Sequence, residues 1–222
     1  MMLMPLFFVH MTFLLGKSTT RRKIVDVCIC AIEFAFVFMT GSRTGIVLSV
    51  VAIVLLVSGI YKHLGKKYGY ICLAIPAVAV VLMIAFPQLS TAIQFMNDVL
   101  DTGRGEHYLS VIQSMTPISF LFGDFSKYSG RNMMNGYITI WAEYGFCALF
   151  VYFVILFSRI KNTALNLPNM NDRNKYGYCL FCLLLAQTAM ESAYLTSGTV
   201  YAALVFLILQ CSISSKPTIE KL

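Results

Sequence analysis

The sequence predicts an all-α integral membrane protein with about six or seven transmembrane helices and one long, partly helical outer loop. Three observations predict it. Hydrophobic residues make up 58% of the chain and charged ones only 12%, with a mean hydropathy of +0.75, whereas an average soluble domain is about a quarter charged. A chain of 222 residues cannot hide that much apolar surface in one water-soluble core. Apolar runs approaching the roughly 20 residues needed to cross a bilayer recur along the chain, and the basic residues between them are unevenly shared.

The expected spans cover about 1–16, 24–41, 43–60, 68–87, 136–158, 176–193 and 197–213. The first is short. It has no basic residues ahead of it and no small-residue cleavage site, so it does not read as a cleavable signal. The chain opens inside this apolar run, which leads to the expectation that it is the C-terminal part of a larger membrane protein. The last two spans are divided at the break around Tyr194–Gly198, because one unbroken helix over both would be too long for a bilayer.

The loops set the orientation. Of the 17 Lys and Arg residues, 13 lie in loops on one side, among them Lys17, Arg21, Arg22, Lys23, Lys62, Lys66, Lys67, Arg159, Lys161, Arg173 and Lys175. Arg43, Arg104, Lys127 and Arg131 lie on the other. Basic residues favour the cytoplasmic side, so the N-terminus is expected outside and the C-terminus inside. The net charge of +7 is accounted for in this way and does not call for a nucleic-acid partner. The seven cysteines, Cys28, Cys30, Cys72, Cys147, Cys179, Cys182 and Cys211, all fall in apolar runs. They read as small lipid- or helix-facing residues, not as a disulfide framework or metal site.

The outer loop, 88–135, is the longest connection. Leu89, Ile93, Met96 and Leu100 recur at helical spacing, which predicts an amphipathic helix on the membrane surface. A second short helix is expected from Glu106 to Met115, ending before Pro117. Loops of this length with helices of their own usually carry function.

Candidate site residues follow from charge and position. Arg43 lies between Gly41 and Gly45 at the outer end of a span, where an arginine is costly and usually functional or paired. Arg104 lies between Gly103 and Gly105 in the outer loop. The flanking glycines leave room for a bulky anion, which a guanidinium binds bidentately. Glu106 and His107 are candidate proton carriers. Glu143 and Glu191 stand near the outer ends of their spans. Glu33 stands deeper, where a hydrogen bond to a neighbouring helix is expected. The sequence carries no P-loop, no dinucleotide fingerprint, no His-Glu-x-x-His and no Asp-x-Asp, so no nucleotide or metal cofactor is expected.

Three stretches resemble the O-antigen polymerase and O-antigen ligase family of bacterial envelope enzymes. They are Gly41-Ser42-Arg43-Thr44-Gly45; Gly103-Arg104 followed by Phe120-Leu121-Phe122-Gly123; and Asn135-Gly136-Tyr137-Ile138 leading to Ala142-Glu143-Tyr144-Gly145-Phe146. The resemblance covers about residues 35–210. It implies a multi-pass enzyme of the bacterial inner membrane that joins undecaprenyl-diphosphate-linked oligosaccharides at the outer face, for surface polysaccharide, O-antigen or capsule. It implies no cofactor, and partners such as a chain-length regulator or other envelope assembly proteins. Arg43 and Arg104 would offset the charge of the lipid diphosphate. Asn135, Tyr137, Glu143 and Glu191 join them as candidate substrate-binding residues. Where the family often has a histidine before the Asn-x-Tyr segment, this chain has Met134; either His107 or Glu106 replaces it as the base, or the base lies elsewhere, or activity is lost. Two rival readings stand beside this one. One is a transporter or lipid flippase, with Arg43 and the intramembrane glutamates along a substrate path. The other is a truncated, non-catalytic membrane partner.

Topology reporters test the orientation. Fusions at residues 65 and 168 should report the cytoplasm and a fusion at residue 110 the outside. A cytoplasmic signal at 110 would reverse the assignment.

Overall fold

The computed structural model describes residues 3–16, 19–39, 43–65, 110–129 and 136–188. Among these residues the regular structure is helical throughout, with no strand. In chain order the described helices are α1 (Leu3–Leu14), α2 (Thr20–Met39), α3 (Arg43–Ser58), α4 (Pro117–Phe122), α5 (Phe125–Tyr128), α6 (Gly136–Asn166) and α7 (Asp172–Thr188). A 3-10 turn follows α3 at Ile60–His63 and another follows α6 at Leu167–Asn169. Helices stand at five of the expected spans. The spans expected at 68–87 and 197–213, and the surface helix at 89–100, lie outside the described residues.

The first three helices and α7 form one packed unit. The buried residues of α2 are Asp26, Cys30, Glu33 and Val37, a stripe at steps of four, three and four that marks one helix face. Met4, Phe7, Phe8 and Met11 of α1 belong to the same core. On α3 the buried positions are small: Gly45, Ser49 and Ala52. Small residues let a neighbour reach the backbone. Tyr176 of α7 does so, its hydroxyl donating to the Ala52 carbonyl at 2.9 Å and its ring meeting Tyr61 edge-on at 5.2 Å.

One end of this unit gathers helix termini. Gly59, at φ 66°, closes α3. Beyond it the Lys175 ammonium of α7 donates to the Lys62 carbonyl at 3.2 Å. The Arg173 guanidinium lies 4.9 Å from the ring centre of Phe13, near the end of α1. The loops expected to share one side, after α1, after α3 and before α7, are therefore together.

The helix α6 is not straight. Gly145 sits inside it at φ 86°, ψ 170°, far from helical values. Tyr137 and Phe153 have ring centres 5.5 Å apart, although sixteen residues of straight helix would separate them by about 24 Å. The helix therefore folds back at Gly145 into an N-terminal arm, 136–144, and a longer C-terminal arm, 146–166. The two arms share a core: Tyr137, Ile140, Trp141 and Leu149, with Tyr152 and Phe153 packed against them. The sequence reading of one continuous span over 136–158 is corrected here, because glycine alone adopts this backbone without strain. By length and composition, Gly136–Asn169 is the described helix that could cross a membrane; the apolar stretch Thr44–Ser58 is shorter. The C-terminal arm alone rises about 31 Å, close to the hydrocarbon thickness.

The bend is held by α4. Gly123 caps α4 at φ 79° and lies against the backbone of Glu143 and Tyr144, while Gly145 lies against the backbone of Leu121 and Phe122. A Cβ on either glycine would overlap the opposite main chain. Two bonds fasten the contact: the Asp124 amide donates to the Ala142 carbonyl at 2.8 Å, and Trp141 Nε1 to the Phe120 carbonyl at 3.1 Å.

Other boundaries shift for local reasons. The helix α2 begins at Thr20, not 24, and carries exposed Arg21, Arg22 and Lys23 in its first turn. Of the helix expected over 106–115, residues 110–113 are helical and 106–109 lie outside the described residues. Pro117 does end that run, but it also opens α4. Thr116 is the N-cap, with reciprocal bonds between Thr116 and Ser119. A capping box with proline at the first helical position starts a helix.

Gly145→Ala and Gly123→Ala should each lose thermal stability in detergent. The backbone conformation alone costs about 1–3 kcal/mol, and the main-chain overlap adds to it. Unchanged melting of either variant would mean that the interlock contributes nothing.

Candidate functional site at the apex end of the bundle

The bend in α6 defines an apex, and most of the described candidate residues stand at its end of the bundle. Antiparallel packing places them. Tyr176 meets Ala52 near the basic end. Nine residues further along α7 is Leu185, and nine residues back along α3 is Arg43, each a rise of about 13 Å. The backbone of Arg43, the first residue of α3, thus stands at about the height of Leu185. The Tyr137 hydroxyl donates to the Leu185 carbonyl at 3.0 Å, which puts the start of the N-terminal arm at that height too. Glu143 lies six residues on, next to the apex.

Glu143 is 7% exposed. Ala142, beside it, is fully buried against Val111, Ile138 and Tyr128. Aromatic rings cover the outer side of the apex. Phe120 meets Trp141 edge-on at 4.9 Å and stacks on Phe146 at 6.0 Å, and Phe125 lies 5.8 Å from Tyr144. A polar rim borders them. Asp124 Oδ1 accepts from the Ser126 hydroxyl at 2.7 Å and the Lys127 amide at 3.1 Å. The hydrogen bond from Ser126, followed by that from the Lys127 amide, holds the Asp124 carboxyl below the usual carboxylate range. Lys127 in turn donates to the Ser114 carbonyl at 2.8 Å, and Ser114 bonds the Tyr128 hydroxyl at 2.7 Å.

Comparison with protein families, with characterised proteins and with solved structures finds no match for this chain. The site is therefore argued from its own residues.

Arg43, Tyr137 and Glu143 are brought to one end of the molecule. Arg104, Glu106, His107, Asn135 and Glu191, the remaining candidates, lie outside the described residues. Tyr137 is fully buried and its hydroxyl is engaged by α7, so it ties the N-terminal arm to the bundle. Among the described residues no group of three or more His, Cys, Asp or Glu side chains could hold a metal ion, and Cys28, Cys30, Cys147, Cys179 and Cys182 are free thiols.

A second polar place lies between α1 and α2. His10 Nδ1 is 2.8 Å from Oε1 and 3.0 Å from Oε2 of Glu33, the geometry of an imidazole N–H donating to both carboxylate oxygens. The expected interhelical hydrogen bond of Glu33 is thus present, and its partner is His10. Sequence reasoning passed over His10 and also Asp26, which shares the buried face of α2. The signal was available, since an ionisable side chain inside an apolar run is a functional candidate by position alone. Asp26 Oδ2 and Ser49 Oγ are buried with no hydrogen-bond partner among the described residues.

A double-mutant cycle with His10→Leu and Glu33→Leu should show a coupling energy of about 1 kcal/mol or more in the stability of the detergent-solubilised chain, the range for residues in direct contact. Additive effects would mean that the pair does not join α1 to α2.

Proposed function

We propose that this chain is a multi-pass enzyme of the bacterial inner membrane that polymerises or ligates undecaprenyl-diphosphate-linked oligosaccharides at the outer face. The observation that carries the reading is convergence. The stretches on which the family resemblance rests are far apart in sequence, yet Arg43, the Phe120–Gly123 turn and the Glu143–Gly145 segment stand at one end of the bundle. The last two interlock main chain to main chain. Supporting it, that end lies opposite the basic loops, as the outer face should under the distribution of Lys and Arg.

In this reading six or seven spans cross the membrane, the fifth of them through the C-terminal arm of α6, with the N-terminus outside and the C-terminus in the cytoplasm. The lipid diphosphate is the leaving group. Arg43 and Arg104 stabilise the charge that develops on it as the glycosidic bond breaks. The anomeric carbon passes through an oxocarbenium-like state with inversion, and the outer loop aligns the acceptor hydroxyl. The N-terminal arm of α6 enters the core N-terminus first, with residues 136–143 buried, so the positive end of its dipole also favours an anion there. With Met134 at the family's histidine position, His107 removes the acceptor proton, with Glu106 as its alternate.

A second reading, a transporter or flippase, is favoured by one observation: the His10–Glu33 pair, since ionisable pairs inside apolar helices mark proton and substrate paths. Loss of lipid-linked substrate movement in Glu33→Gln, with glycan joining intact on supplied substrate, would select it.

Arg43→Lys and Arg104→Lys should both impair surface-polymer formation while the protein still accumulates in membranes, because lysine keeps the charge and loses the bidentate fork. His107→Gln should lower glycan joining about a hundredfold or more, the scale of general-base loss. The assay is product length from purified protein and lipid-linked repeat units. Normal polymer from both arginine variants would remove the diphosphate clamp.

A further inference from the structure

We infer that α4 and α5 form a re-entrant cap, embedded in the bilayer leaflet at the apex end, with lipid acyl chains covering their exposed apolar face. Three observations lead there. The first is surface. Ile118 is 74% exposed, Phe122 68%, Phe125 52% and Leu121 44%, a dense apolar face for so short a segment. Monomeric soluble surfaces rarely carry such a patch without a partner.

The second is continuity. Phe120 stacks on Phe146, the first residue of the C-terminal arm. From there as far as Phe157 the exposed residues of that arm are apolar: Cys147, Phe150, Val151, Val154, Ile155 and Phe157. The face of α4 and the flank of the arm that could cross the membrane form one apolar surface, and the glycine interlock allows no gap between them. What covers one covers the other.

The third is depth. From Phe146 to Arg159, the first charged residue of the arm, the rise is about 20 Å. The hydrocarbon layer is about 30 Å thick. The apolar part of the arm is therefore short by about 10 Å, the thickness of one helix, and α4 packs at that end, with Phe120 stacked on Phe146. Backbone at such depth must satisfy its own polar groups, and hydrogen bonds hold amides at both ends of α4. The Thr116 amide donates to Ser119 Oγ and the Ser119 amide to Thr116 Oγ1. The Gly123 amide donates to the Ser119 carbonyl and the Asp124 amide to the Ala142 carbonyl. Asp124, Ser126 and Lys127 form the polar rim at the water side.

The inference does not rest on glycan chemistry. Its test uses the full chain in liposomes whose phospholipids carry bromine on the acyl chains. Trp141 is the sole native tryptophan and is kept; each added tryptophan is read as the difference from wild type. Ile118→Trp and Phe122→Trp should lose as large a fraction of their added emission to brominated lipid as Phe150→Trp on the arm. Ser126→Trp should instead be quenched by iodide from the water. Quenching of both cap variants by iodide, with Phe150→Trp still quenched by bromine, would place the cap in water and overturn the inference. Protection of both from either quencher would mean that protein covers the face, which overturns it equally. If Phe150→Trp also escapes bromine, the arm does not span, and the cap falls with it.

Discussion

Two glycines packed against main chain hold the bend of this molecule in place. Gly123 ends α4 against the backbone of Glu143 and Tyr144, and Gly145 breaks α6 against the backbone of Leu121 and Phe122. The two segments can approach this closely because neither glycine carries a Cβ and both adopt positive φ. The fold-back of α6, the seat of α4, the burial of Glu143 and the continuous aromatic surface from Phe120 to Phe146 all follow from that contact. Hydrogen bonds from Asp124 and Trp141 fasten it, but they could not form if the two chains stood a side chain further apart.

The bundle behind the apex follows a related logic. Association of the helices uses close packing and polar links. Small residues on α3 admit Tyr176 to the Ala52 carbonyl. His10 and Glu33 join α1 to α2. Tyr137 fastens the N-terminal arm of α6 to α7. Each link uses a polar group that would be costly to bury unpaired, which makes each one selective for this arrangement of helices over others of similar apolar content.

The division of labour between the two ends is also physical. The basic end collects Arg173 and Lys175, whose heads reach the Phe13 ring and the Lys62 carbonyl at the rim of the bundle. The apex end carries aromatic rings, a buried carboxyl and the start of α3 at Arg43. The two ends thus differ in kind, one basic and the other aromatic with a buried carboxyl.

The sequence by itself determined the all-α class, the places of the five described long helices, the grouping of basic loops at one end and the need of Glu33 for a partner on another helix. Those features rest on composition and on local periodicity, which one chain displays directly. Pro117 reads as a stop from its ring alone, although Thr116 and Ser119 around it spell a helix start, a capping box with proline at the first helical position. His10 was legible and passed over. Only the tertiary structure decided that 136–158 is not one straight span. A lone glycine in an apolar run is compatible with a continuous helix, and what bends it at Gly145 is the arrival of Gly123, more than twenty residues earlier in the chain. The same holds for the gathering of Arg43, Tyr137 and Glu143 at one end: their heights are set by which helices run antiparallel, a property of packing between distant segments that no local pattern encodes.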